Sequence, residues 1–523
     1  MPEPSTRERL IDRWDLLLFA LVAIAGTYAF ANSSGRWLDP VIDTGRDLSI
    51  PAQVRGGTAL YRDVLYYYPP LTPYLLAAAT ALVGDSLSSY TAIGVAISLV
   101  VALALYLTAK VLVHRLAGLA AALLFVGLSF TGASTWGANF IFPYAHAATI
   151  GMMFLLLQIC FLAVYFFRER AGRWLAIGTA FGLLAAWSKI ELAAIALAYF
   201  GRDLIDNAFP ASLLRGRSSS FFYSAVQGRT RLGEFLVASL LGGLTIALVA
   251  LVIALIDRSK SRKAVGGLLA LLALLTFFAA DDRFFAAWAI AQVALVPFAL
   301  REPRSPLFFL LLFSMGATLR IYFNLSPNWY GFTLMLPLFL LIAFVLFRFL
   351  PERGAYSERA AWLWLPLLLL LMGRGLALQR MTFALKTHRI ETARGVFYDV
   401  PGRGAVIESL LRGIAESRAK SLVVFPEGLT INYLSGVPTP LSFHTFTPIE
   451  AADPDVEHRI LQELTERKPE LVAIVTRDVS EFGYRGFGID YHLGIRDFLR
   501  ANYRPIGRWS SPSFKAMLLH SRN

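Results

Sequence analysis

The sequence is poor in charge and nearly free of cysteine. Only 16% of its 523 residues are charged and 56% are hydrophobic, whereas a soluble domain carries about 25% charge. A globule of this length has no single core able to hide so much apolar surface. A soluble enzyme is therefore excluded, and so is disorder, which requires low hydrophobicity. The one cysteine, Cys160, lies in an apolar run and leaves no intramolecular disulfide. There are seven histidines. His388, His444, His458, His492 and His520 fall in the last third of the chain, too scattered for a metal motif. P-loop, dinucleotide-binding and zinc-ligand spacings are missing, and so is any internal repeat of the kind that transporters carry. Acid is scarcer than base, 36 residues against 49, for a net charge of +13. In a soluble domain that excess suggests nucleic acid. Here much of it falls in short loops between apolar blocks, as the positive-inside rule asks of a membrane protein, so no nucleic-acid partner is inferred.

What is present is a series of apolar blocks. The first runs from about 14 to 31. Others cover 86–109, 116–167 with a polar break near 129–146, 174–200, 234–256, 264–280, 284–300, 306–324, 329–350 and 361–378. Each is long enough to cross a bilayer or nearly so, and together they predict about eleven spans. With the N-terminus in the cytoplasm, the inner loops Lys110–Arg115, Arg168–Arg173, Asp257–Lys263, Arg301–Arg304 and Arg348–Arg359 are basic. The outer loops are then 32–88, 132–145, 201–233, 281–283 and 325–328. Loop 201–233, with Arg202, Arg215, Arg217, Arg229 and Arg231, is basic on the wrong side. Residues 71–83 are apolar but short and are read as an interfacial helix.

Hydropathy drops near Lys386. Helix patterns over 405–417, 457–468 and 493–502 alternate with strand patterns over 421–425 and 471–476. The fold expected is a polytopic α-helical membrane domain over 1–385, with a soluble outer-face α/β domain over 386–523.

The first outer loop carries the most chemistry. It reads Asp39-Pro-Val-Ile-Asp43-Thr-Gly-Arg46-Asp47, then Leu60-Tyr61-Arg62-Asp63, then Tyr66-Tyr67-Tyr68-Pro69-Pro70-Leu71. Carboxylates beside arginines and tyrosines at a membrane surface suit general-base work. A solvated loop is the plain alternative. This order of residues, with the span before it and the short helix after it, resembles the first periplasmic loop of GT-C glycosyltransferases. The likeness is to the bacterial branch related to protein O-mannosyltransferases and the lipid A aminoarabinose transferases.

The resemblance implies transfer of a hexosyl or pentosyl group from a polyprenyl-phosphate sugar to an envelope glycan, lipid or protein acceptor. It places the protein in a bacterial inner membrane, among membrane lipids, with its C-terminal domain outside. By the same likeness Asp43 is the base, with Asp47 as runner-up and Asp39 and Asp63 less favoured. The leaving lipid phosphate needs cationic donors. Arg46, Lys189 and Arg320 are the candidates, the last two because charge inside an apolar block marks function. Snorkelling is their plain alternative. Relatives often carry a second acid in the next outer loop. Here that loop has none, and Asn139 and His146 are expected to contact sugar or acceptor, with Glu191 and Tyr330. No cofactor is expected; the lack of a second carboxylate argues against a divalent metal. A lipid transporter or flippase, or a non-catalytic envelope-assembly subunit, is the alternative reading. Phe425-Pro426-Glu427-Gly428 also occurs in glycerol-phosphate-type acyltransferases, but the His-x4-Asp they require is missing, so that reading is discarded.

Overall fold

The computed structural model describes residues 11–132, 137–189, 222 and 224–522. The chain is a multi-pass helical membrane protein with a C-terminal sheet region. Among the described residues, seven helices are long and apolar enough to cross a membrane. They include α1 (Arg13–Ser33), α4 (Leu87–Leu112) and α6 (His146–Phe167). Between them lie α2 (Gly45–Arg55), α3 (Leu71–Val83) and α5 (Arg115–Phe125). After α7 (Gly172–Ser188) come the spanning helices α8 (Leu232–Arg258), α9 (Arg262–Ala279) and α10 (Asp282–Arg301). Then follow α11 (Pro306–Thr318), α12 (Leu336–Phe344) and α13 (Leu365–Ala384), of which α13 belongs to the seventh long helix, Ala360–Ala384. Other predicted blocks are helical over shorter stretches, as at Arg115–Phe130 and Pro306–Ile321, while the block over 174–200 passes outside the described residues after Lys189.

Burial separates centre from rim. The apolar window of α4 is 61% buried and that of α6 56%, against 17% for α1 and α9. So α4 and α6 form the protein interior, while α1 and α9 present leucines outward, as lipid demands. The α1 start is fixed by a reciprocal cap between Asp12 and Asp15. Asp15 also takes Tyr106 Oη at 2.7 Å and Lys110 Nζ at 2.5 Å, which ties α1 to the opposite end of α4.

The C-terminal region begins with a hairpin, β1 (His388–Thr392) and β2 (Gly395–Asp399). It continues through α14 (Pro401–Ser417), β3 (Leu422–Phe425), α15 (Leu429–Ser435), α16 (Pro454–Arg467), β4 (Leu471–Val475), α17 (Leu493–Asn502), β5 (Tyr503–Ser510) and β6 (Lys515–Ser521). The sheet order is β3-β4-β6-β5; β3 and β4 are parallel and the other pairs antiparallel. Strand alternation splits the core in two. Val423, Phe425, Val472 and Leu519 pack with Ile460 and Leu464 of α16 and Ile495 and Leu499 of α17. Leu422, Val424, Ala473 and Leu518 face the other side, with Ile407 and Leu410 of α14. The hairpin and strands β5 and β6 escaped the sequence reading. β5 reads Tyr-Arg-Pro-Ile-Gly-Arg-Trp-Ser, with Pro505 and Gly507 flanking a bulge, so it lacks an apolar alternation.

This region sits directly on the loop between α1 and α4. That loop is not irregular throughout, since α2 occupies its middle. Arg403 bridges Asp39 at 3.0 Å and Asp399 at 2.7 Å. Lys386 Nζ donates to the carbonyls of Arg36 at 2.7 Å and Leu38 at 3.1 Å. Leu65 N–H donates to Ser442 O at 3.0 Å. Helix α2 lies so close to α15 that a Cβ on Gly45 would collide with the Leu429–Thr430 backbone. Gly45→Ala is therefore expected to cost about 1–3 kcal/mol as the two segments are pushed apart. A lowered melting temperature of the purified protein checks this; an unchanged one means that the contact is loose.

Candidate active site

Asp43 occupies a turn between the end of α1 and the start of α2, with φ +57°. That left-handed conformation is uncommon outside glycine but tolerated by Asp and Asn. Its N–H donates to Glu427 Oε1 at 2.6 Å, and its Oδ1 accepts from Arg46 at 2.6 Å. Glu427 follows β3 and is itself held by Arg477, whose Nε donates to Oε2 at 2.9 Å; Arg477 also binds Glu481 at 2.6 Å. The turn is thus clamped from the far end of the chain.

The carboxylates of the loop have different surroundings. Asp43 keeps 29% of its side chain exposed, against 3% for Asp47 and 2% for Asp39. Asp47 is used structurally: its Oδ2 accepts from the His146 N–H at the start of α6 and lies 3.2 Å from His146 Nδ1. A carboxylate at a helix N-terminus satisfies a backbone donor and the helix dipole together. Asp39 accepts from the N–H groups of Val41 and Ile42, each at 2.9 Å. Burial pushes its carboxyl up, but Arg403, Lys386 and those N–H groups outweigh it and hold it below the ordinary carboxylate range. Asp63 faces solvent with Arg62. For Asp43 the balance is reversed. Partial removal from water, helped by the nearby Glu427 and Glu481 charges, pushes its carboxyl up to about 7 against the pull of Arg46 and Arg477.

Cations and tyrosines surround this carboxylate. Arg46 lies 5.5 Å from the Tyr68 ring. Lys189, at the end of α7, donates to the Tyr144 hydroxyl and lies 4.9 Å from the Tyr144 ring and 5.6 Å from that of Tyr68. Arg320 stands 4.6 Å from the Tyr330 ring, and Tyr330 packs edge-on to Tyr144 at 5.1 Å. The Tyr144 hydroxyl is raised to about 12 by burial and senses Arg320, Asp43 and Arg46 together. Asp43, Arg46, Lys189, Arg320 and Tyr330 therefore belong to one cluster, with Tyr68 and Tyr144 as its aromatic walls.

The other candidates lie differently. Asn139 turns its carboxamide onto its own loop, accepting from the N–H groups of Ile141 and Phe142 and donating to Phe142 O. It shapes the turn rather than facing the cluster. His146 is fully buried, against Asp47 and the Tyr90 ring. Glu191, and most of the basic loop 201–233, lie outside the described residues. Glu427 and Arg477 were missed as site residues. The signal was the Phe425-Pro426-Glu427-Gly428 turn after a buried strand, which reads as a misplaced motif until its partner is known. Among the described residues no group of three or more His, Cys, Asp or Glu side chains is placed to hold a metal ion.

One carboxylate and three cations beside edge-packed tyrosines can bind a phosphate ester and accept a proton. Residues 68–214 match the model of the dolichyl-phosphate-mannose-protein mannosyltransferase family. The mannosyltransferase match starts at Tyr68 and takes in Tyr144 and Lys189, while Asp43, Arg46 and Arg320 fall outside it. No curated protein matches the chain at a significant level. Among solved structures, the chain is similar to the archaeal oligosaccharyltransferase AglB from Archaeoglobus fulgidus, in complex with an inhibitory peptide and a dolichol-phosphate. The identity is 12%, over 88% of this chain and 69% of that one, with a TM-score of 0.45. A second Archaeoglobus fulgidus oligosaccharyltransferase structure, with Zn and sulfate, aligns over 87% and 67% at 12% identity and a TM-score of 0.39.

Proposed function

We propose that this protein is a GT-C glycosyltransferase that moves a sugar from a polyprenyl phosphate to an acceptor on the outer face of a bacterial inner membrane. The N-terminus lies in the cytoplasm and the C-terminal region outside. The observation that carries the reading is a partly open carboxylate of the first loop, Asp43, set among Arg46, Lys189, Arg320 and tyrosines. The mannosyltransferase match over 68–214 supports it.

In this reading the acceptor hydroxyl gives its proton to Asp43. Its oxygen attacks the anomeric carbon as the bond from that carbon to the phosphate oxygen breaks, with inversion. Polyprenyl phosphate leaves with the electron pair. The arginines and the lysine stabilise the charge that grows on that oxygen, which is where preorganised donors lower a barrier most. Tyr330, half-buried, contacts the sugar. No step is routed through a metal.

A base must be unprotonated, and Asp43 titrates near 7. Turnover is thus expected to fall about tenfold per pH unit below 7 and to level off above it. The test is incubation of purified protein with a panel of radiolabelled polyprenyl-phosphate sugars, following release or transfer of sugar from pH 5 to 9. No use of any donor removes the transferase reading. Turnover that is flat across that range removes Asp43 as the base.

A further inference from the structure

We infer that the C-terminal region carries a groove that binds an anionic glycan. A cavity of about 670 Å³ opens at the end of the sheet where the parallel strands β3 and β4 finish. In α/β sheets that end is where ligands bind, outside the carboxyl ends of the strands. Its lining holds the cations Arg477, Arg485, Arg508 and Lys515, the half-buried Phe487, and no acidic residue. Arg485 leans on Asp490 at 3.4 Å. Among the described residues no ion pair joins Arg508 or Lys515 to a carboxylate. Both are exposed, so two positive charges face an open groove. Phe487 is fixed by stacking on Phe425 at 5.1 Å, whereas Trp509 turns its ring to the other face of the sheet, against Gly413 of α14.

Cations around a half-buried aromatic ring suit sugars that bear carboxylate or phosphate groups. A sugar ring lies against Phe487 and the charges meet Arg and Lys. A peptide added as an extra strand is disfavoured. The edge strand β5 is interrupted by Pro505 and Gly507, which deprive it of a continuous ladder.

The groove also leads somewhere. Pro426 and Arg477 line it, Arg477 holds Glu427, and Glu427 holds the Asp43 turn. Two hydrogen bonds thus tie the groove to the turn of the proposed base, and a glycan bound there is read as the acceptor. That last step rests on the transferase reading; the binding itself does not.

The experiment uses the full-length protein in phosphatidylcholine nanodiscs and fluorescein-labelled hexagalacturonate as probe. Binding is expected, with maltohexaose and hexaglutamate as weak competitors. Affinity is expected to drop at least about tenfold in Arg508→Glu/Lys515→Glu and again in high salt, since exposed charges are screened. Arg508→Gln, a milder change at an exposed position, gives a smaller loss with unchanged melting, which separates lost binding from lost folding. Asp43→Asn binds the probe like the wild type, so binding is read independently of donor turnover. Absent binding, binding unchanged in both groove variants, or hexaglutamate competing as well as unlabelled hexagalacturonate overturns the inference.

Discussion

Asp43→Asn is expected to lower sugar transfer by about a hundred- to ten-thousand-fold, the range a positioned general base contributes, in a protein that stays folded. Asn adopts the left-handed φ of +57° at this turn nearly as readily as Asp. It also keeps an oxygen for Arg46 and the N–H for Glu427. Donor binding is expected to persist, because the cations remain.

The same substitution has a second readout of opposite sign. The Asp43 carboxyl is raised from its ordinary value to about 7 by loss of water. Between the unfolded value near 4 and 7, the native protein holds a proton that the unfolded chain has lost. Stability from this group therefore falls as pH rises through that window, and above it the full cost is present. Asn carries no charge to bury, so the variant is expected to melt higher than the wild type at pH 8 while being inactive. Retained transfer in the variant rules Asp43 out as the base. Lower stability at pH 8 shows that its contact with Arg46 outweighs the burial.

The largest loss of stability is expected from Arg403→Met. Arg403 grips Asp399 through two nitrogens, at 2.7 and 2.8 Å, and reaches Asp39 with a third at 3.0 Å. Those side chains are 0% and 2% exposed. Removing the guanidinium leaves two carboxylates out of water with Lys386 as their remaining nearby cation. Breaking a buried pair in this way costs about 3–5 kcal/mol. The pH dependence identifies the cause. Asp39 is held below the ordinary range in the native protein, so its contribution is present at neutral pH and lost as pH falls. In the variant the Asp39 carboxyl is eased by protonation. The melting gap between wild type and variant is therefore expected to narrow toward pH 4. A gap that stays constant would assign the loss to packing of the Arg403 stem instead.

Much of this was legible beforehand, for a physical reason. Apolar blocks, the short helix after Pro69-Pro70 and the helices of the C-terminal region are local patterns, carried by residues close in sequence. Asp43 and Arg46 were legible too, because they stand in order within one loop. Asp47 was not separable from Asp43 as a candidate, since what distinguishes it is a helix start 99 residues away. Asn139 has the composition of a sugar ligand, and only its turn geometry shows where its amide is spent. Strand β5 hides behind a proline and a glycine, and Glu427 behind a partner from the other end of the chain.

That partnership also sets a clock. The Asp43 N–H and the Glu427 carboxylate are 384 residues apart. At the usual pace of synthesis, about 5–20 residues per second, the loop bearing Asp43 is made roughly 20–80 s before its clamp exists. During that interval the turn beside Arg46 has no Glu427 to hold its backbone. The contact thus makes the finished C-terminal region the last part delivered to the site, and the Asp43 turn gains its clamp only when the chain is nearly complete.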